Sequence, residues 1–546
     1  MSSLILESNI ILTVAVAATL CSVPGLWFGK SGRLRPIVTS AAWIVACATI
    51  ALNSLARPIY DDEVFYLAQS YEAHRGAVSA YLPMRVWAYY PLLGLHLSPG
   101  GTIVASRITM ILAAILCGLM VRAIALKINP SGSIASVIGA LAALSFGNLP
   151  MGTMVPEFIA FLFLLTGIWA LLAAPSRWPR AVSLFLCGFM LASACATSLR
   201  LLLFGAAVLV AVFLEPGTLS RIRGLLWSAA GMLAGALPSL LHIFIKDSLS
   251  AVFYWHYTFM REIDFIHITE PVTLPSVVAV VAAVGCWFLW KARNLFYGST
   301  MLLVLWCAAT ISAILNPQKM EHTLGPWLAL SFIVSAAALG SWTARTGPAG
   351  KRLALLLIFM LFITQAAPDM DMLQDPSSVS ADLAQAGSGL KLINWLSEIA
   401  NGDPVICVPP FHPIFAPNAW EMWNVIYYCY IRDQEINFKL EPRLEETLMS
   451  RKAAILEWDA WPKEAGASDI LAYLVQRKFI SVEEAPRLAE NLCRSYRLVQ
   501  WQGPLTDEFG GGRFLVRRDI KLDSRVRILD DSLILHAKTS DPQGEE

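Results

Sequence analysis

The chain has 546 residues, of which 56% are hydrophobic and 15% charged, against roughly 25% charged in ordinary soluble domains. With a mean hydropathy of +0.58, that composition specifies an integral membrane protein. Lys+Arg 41 against Asp+Glu 40 leaves a net charge of +1, with no basic arm, so nothing calls for nucleic acid as a partner.

In chain order, residues 7–28 form an apolar run preceded by Glu7 and no basic segment, which reads as a first spanning helix rather than a cleaved signal. Lys30, Arg33 and Arg35 follow, then a second span at 37–55. Further spans are predicted at 101–124, 133–149, 156–174, 180–196, 200–215, 224–245, 273–291, 297–315, 325–341 and 353–367, about twelve in all. Cys21, Cys47, Cys117, Cys187, Cys195, Cys286 and Cys307 fall in these apolar runs and read as packing residues. Cys407, Cys429 and Cys493 lie in the polar tail without metal-ligand spacing.

Charge sets the expected orientation. Alternate loops carry Lys30/Arg33/Arg35, Arg122/Lys127, Arg177/Arg180, Arg221/Arg223, Lys291/Arg293 and Arg345/Lys351/Arg352, nearly free of acid. The positive-inside rule puts them in the cytoplasm. The opposite loops hold Asp61-Asp62-Glu63, Glu157, residues 246–270 and Lys319-Met320-Glu321-His322. These loops and everything after 368 are therefore expected on the outer, periplasmic or extracellular, side of the inner membrane. Past a polar linker at 369–378, strand patterns at 404–408, 451–458, 496–499 and 514–516 alternate with helical patterns at 388–401, 469–478 and 483–493. The expected organisation is a spanning domain, 1–367, with an outer catalytic loop at about 56–100. A soluble α/β domain, 368–546, follows it.

The acids stand out. Asp61-Asp62-Glu63 sits at a membrane exit, where charge is costly and usually functional. Neighbouring like charges near a low-dielectric region raise a carboxyl pKa, which suits a general base near neutral pH. Tyr71, Tyr81, Trp87, Tyr89 and Tyr90 follow, aromatics that favour a membrane interface. The segment reads as an interfacial loop with short helices, closed by Arg107 at the start of the next span. Glu157 is a second acid at the outer end of a span, where a helix dipole also favours it. Arg200 and Arg107 open apolar runs, positions from which an arginine snorkels or holds an anion. His256 and Arg261 lie among Phe253, Tyr254, Trp255 and Tyr257. Lys319 and His322, three residues apart ahead of a helix, can grip a phosphate or anchor the interface. There is no G-x-x-x-x-G-K-[ST], no dinucleotide fingerprint after a strand and no H-E-x-x-H.

Asp62-Glu63-Val64-Phe65-Tyr66 resembles the D-E-x-x-Y signature of the protein mannosyltransferase-like and aminoarabinose-transferase-like enzymes of the C-type (GT-C) glycosyltransferase superfamily. The resemblance continues through Pro91-Leu92, Arg107 and Pro156-Glu157, and reaches the His256/Arg261 loop and Lys319–Pro326, covering about residues 40–365 in order. It implies an α-helical polytopic fold and a polyprenyl-phosphate-linked sugar as donor. The sugar passes, with inversion, to a lipid, lipopolysaccharide, glycan or protein hydroxyl.

On that resemblance Asp62, or Asp61 beside it, is the base. Lys319, His322, Arg200 and Arg261 bind the lipid phosphate, and Glu63, Tyr66, Arg107 and His256 line the substrate site. Glu157 binds the acceptor or a divalent cation, for which Asp62, Glu157 and His256 are the candidate ligands. This chain departs from the pattern with Glu157 in place of Asp, His322 in place of Arg and an extra span ahead of the acid loop. The rival readings are a lipid-linked glycan transporter or flippase, a polymerase or ligase of lipid-linked glycans, and a membrane-anchored sensor whose tail does the binding. The first predicts charges at the membrane midplane and the second a dominant Arg-rich outer loop.

Overall fold

The computed structural model describes residues 34–59, 61–75, 84, 87–128, 132–148, 156–172, 178–198, 201–214, 221–245, 276–291, 299–315, 324–354, 356–358, 360–361, 376–407, 411–419, 444–450, 452–458, 471–472, 475, 480–505 and 512–529. The expected span at 7–28 lies outside them, and that at 353–367 is described only in part, to residue 361. The other expected spans each fall on a helix. These are α1 (Leu34–Ala56), α4 (Pro99–Ile128), α5 (Gly132–Asn148), α6 (Pro156–Leu172), α7 (Arg180–Thr197), α8 (Leu202–Leu214), α9 (Arg221–Ile245), α10 (Ser276–Lys291), α11 (Ser299–Leu315) and α12 (Gly325–Arg345). Between α1 and α4 come α2 (Asp61–His74) and the short α3 (Tyr90–Leu93). Among the described residues, four helices are long and apolar enough to cross a membrane: Pro36–Ala56, Pro99–Ile128, Arg180–Thr197 and Arg221–Ile245. Shorter apolar helices lie beside them, and the whole is a multi-pass membrane body.

Small residues set how closely the helices approach. The buried face of α9 is Gly224, Ser228, Gly231, Gly235 and Ser239, closed by Ile243. A side chain at Gly231 or Gly235 would run into the carbonyls of Phe185 and Phe189 on α7, and one at Gly188 into that of Ser228. With no hydrophobic drive between helices in lipid, such close backbone packing supplies the attraction. Gly118 of α4 meets Gly139 of α5 in the same way.

Helix α4 is 30 residues long, longer than the expected 101–124. Pro99 stands at its first position, where a missing N–H costs nothing. Ser98 caps it, its hydroxyl accepting from Gly101 N–H at 3.2 Å. No breaker follows until Asn129-Pro130.

After the membrane body, α13 (Pro376–Ala400), α14 (Leu444–Met449) and α15 (Ala485–Ser495) accompany a five-stranded sheet. Its strands are β1 (Val405–Ile406), β2 (Ile455–Glu457), β3 (Tyr496–Trp501), β4 (Arg513–Arg517) and β5 (Val526–Ile528), in the order β1-β2-β4-β3-β5. The β1–β2 pair is parallel, with Val405 opposite Ile455, and the others are antiparallel, with Leu498 opposite Leu515. Alternation sorts the strand residues onto two faces. Ile406, Leu456, Leu498 and Leu515 pack with Leu488 and Leu492 of α15. Val405, Ile455, Val499, Phe514 and Val516 pack with Leu392, Trp395 and Leu396 of α13. Helix α13 begins at Pro376, inside the stretch that reads as linker, because a serine- and alanine-rich segment behind a first-position proline is compatible with helix.

Candidate active site

The acid triplet forms the first turn of α2. A helix N-terminus favours carboxylates through its unpaired amides and dipole. Glu63 points inward and is 1% exposed. Its Oε1 accepts from Arg107 Nε at 2.9 Å and from Ser106 Oγ at 3.3 Å, and its Oε2 accepts from Arg107 Nη2 at 2.9 Å. Arg107 is equally buried and also donates to the carbonyls of Arg57 and Pro58, at 2.8 and 3.0 Å. One two-pronged ion pair therefore ties together the end of α1, the start of α2 and α4. The geometry is the strong, charge-assisted kind that makes a buried arginine tolerable.

Behind this turn, Val64, Leu67, Ala68 and Ser70 of α2 are buried. Tyr66 is half-buried, with its ring stacked on Tyr89 at 6.0 Å between centroids and edge-on to Phe65 at 5.4 Å. His74 meets Tyr90 edge-on at 5.4 Å. Trp87 meets His242, near the end of α9, at 5.3 Å. Trp87, Tyr89 and Tyr90, between α2 and α4, thus touch α2 and the end of α9.

Glu157, 3% exposed, stands in the first turn of α6. One turn on, Phe161 packs on Phe146 of α5, and Gly325, the first residue of α12, lies flush against the Phe161 ring. Gly147 of α5 abuts Ile50 of α1. The ends of α1, α5 and α9 and the starts of α2, α4, α6 and α12 therefore gather at one end of the bundle, the acid end. Further buried polar groups sit near this end too, namely Asn53 and Ser54 of α1 and Ser145 of α5. Each is a polar residue inside an apolar run, a signal present in the sequence but weak one residue at a time.

Of the residues singled out from the sequence, Glu63, Tyr66, Arg107 and Glu157 are brought to this end, Glu63 and Arg107 in direct contact. For Asp61 and Asp62 the helix position is described. Arg200, His256, Arg261, Lys319 and His322 lie outside the described residues, although Gly325, which follows the last two, is at the acid end. Among the described residues no group of three His, Cys, Asp or Glu side chains is arranged to hold a metal ion. Of the candidate metal ligands, only Glu157 has a described side chain.

The domain after 376 reaches the same place. Asn394 Oδ1 of α13 accepts from Gly100 N–H at 2.8 Å, at the start of α4. Gly389 faces Ile59. In the segment 411–419, the Phe415 ring is edge-on to Tyr71 at 5.4 Å, and Asn418 N–H donates to Glu72 Oε1 at 3.0 Å. Buried His412 pairs its Nε2 with Asn418 Oδ1 at 2.9 Å, and burial pushes its pKa down to about 4.

No protein-family model and no curated protein matches the chain. Among solved structures it is similar to the Archaeoglobus fulgidus oligosaccharyltransferase tethered with an acceptor peptide, at 10% identity and a TM-score of 0.48 over 94% of this chain and 78% of that one. It is also similar to ArnT from Cupriavidus metallidurans bound to undecaprenyl phosphate, at 16% identity and a TM-score of 0.43 over 73% and 76%. A third likeness is the archaeal oligosaccharyltransferase AglB in complex with an inhibitory peptide and a dolichol-phosphate, at 11% identity and a TM-score of 0.43 over 92% and 77%. With TM-scores below 0.5, the functional reading of this chain rests on its own residues.

Proposed function

We propose that this chain is a membrane glycosyltransferase. It takes a sugar from a polyprenyl-phosphate-linked donor and moves it, with inversion, to a lipid, glycan or protein hydroxyl on the outer face of the inner membrane. The observation that carries the reading is the buried Glu63–Arg107 clamp, which fixes the acid-bearing turn of α2 at the bundle end that also holds Glu157. A general base works only when held within hydrogen-bond reach of its proton, and the clamp supplies that rigidity. Glu63 and Arg107, consumed by each other and by backbone carbonyls, then act as positioning residues rather than as substrate contacts.

Asp62 is the base in this reading. Asp61, beside it in the same first turn of α2, is the alternative. The base takes the acceptor hydroxyl's proton as its oxygen bonds the anomeric carbon and the sugar–phosphate bond breaks. The electron pair leaves on the lipid phosphate, where Lys319, His322, Arg200 and Arg261 stabilise it. Glu157 orients the acceptor or holds a divalent cation. The donor bond is already activated, so no nucleotide site is required.

The test is turnover of the purified protein on lipid-linked sugar. Asp62→Asn is expected to lower kcat by about 10²–10⁴-fold, the usual worth of a general base, while donor binding persists. Unchanged turnover in Asp62→Asn, Asp61→Asn and their combination would remove the assignment.

A further inference from the structure

Helix α2 is held at two places, and the second belongs to the other domain. Near its start, the Glu63–Arg107 pair fastens it to α4. Near its end, Tyr71 and Glu72 meet Phe415 and Asn418, residues almost 350 positions away in the chain. From position 62 to position 72 a helix rises about 15 Å, so α2 is a short stiff lever pivoting at Glu63.

The element at its far end is itself rigid. Asn418 bridges to Val405 of β1, Val405 N–H donates to the Pro417 carbonyl at 2.8 Å, and Ala419 N–H donates to the Val405 carbonyl at 2.8 Å. His412 closes the segment through the Asn418 side chain. The sheet is thus one residue removed from the acid-bearing helix. Ile414, fully buried, belongs to the same apolar cluster as Ile59, Val64 and Leu67, and does so at φ 33°. A β-branched residue takes a positive φ only where its surroundings dictate it. This segment is therefore wedged into the membrane body.

We infer that the C-terminal domain sets the position of the acid-bearing turn, with Phe415 and Glu72 as positioning residues acting through α2. The kinetic consequence rests on the proposed transfer reaction, whereas the mechanical one does not. The expectation concerns the full-length protein in nanodiscs, followed by hydrogen exchange. Phe415→Ala should speed exchange of amides 63–70 by about tenfold, the size expected for one lost anchoring contact. Glu72→Gln should act in the same direction by less, Phe415→Leu should restore most of the protection, and α7 and α9 should not change.

In turnover, kcat should fall with the KM for donor unchanged. Wild-type exchange at 63–70 in a folded Phe415→Ala protein would overturn the inference, as would equal acceleration in every helix. Should Phe415→Ala fail to fold, Glu72→Ala carries the same test, because it removes the acceptor of the Asn418 N–H, and wild-type exchange at 63–70 there would overturn the inference. A normal turnover in Asp62→Asn, Asp61→Asn and the double variant would sink the transferase reading and leave the exchange result standing.

Discussion

Removing one member of the Glu63–Arg107 pair strands a charge where water does not reach, because both side chains are at most 2% exposed. Glu63→Ala and Arg107→Ala are each expected to cost about 3–5 kcal/mol, and Glu63→Leu with Arg107→Met should recover most of it. Unfolding in detergent, run as a double-mutant cycle, measures both. His412 supplies a pH signature at the same scale. Its folded pKa of about 4 lies below the roughly 6.5 of a free histidine. Above pH 6.5 both states are neutral and nothing is lost. As pH falls from about 6.5 to about 4 the unfolded chain takes up a proton that the folded one refuses, so stability declines by up to about 3 kcal/mol and then levels off. His412→Gln should flatten that decline in thermal unfolding between pH 4 and 7.

At the scale of elements, the α7–α9 seam rests on glycines whose added side chains would meet backbone. Gly231→Leu should cost at least about 1–3 kcal/mol by overpacking, while Leu233→Ala, at a position 65% exposed to the membrane side, should cost little. The positions of the described apolar helices and of the acid triplet are legible in the sequence because apolar length and charge are local signals. Strands β1 to β4 were legible by their buried runs. Strand β5 was not, since Val526–Ile528 is three residues with one buried. Nor was the partner of Glu63 legible. From sequence Glu63 and Arg107 read as separate substrate contacts, and only the fold closes the separation of 44 positions.

For the whole molecule, the C-terminal domain meets the membrane body at the acid end through Asn394, Phe415 and Asn418. The sequence expectation that acids and tail share one face drew on loop charge alone. The contacts that join them are single residues hundreds of positions apart, beyond any local pattern. In the proposed reaction Asp62 drives discharge of a sugar from a phosphate-bearing lipid. Mass spectrometry of lipids copurifying with wild type and with Asp62→Asn tests it most directly. The variant should retain an intact polyprenyl phosphate carrying a sugar, while wild type yields mainly the bare polyprenyl phosphate. The same lipid profile in both proteins, or no sugar-bearing lipid in either, would contradict it.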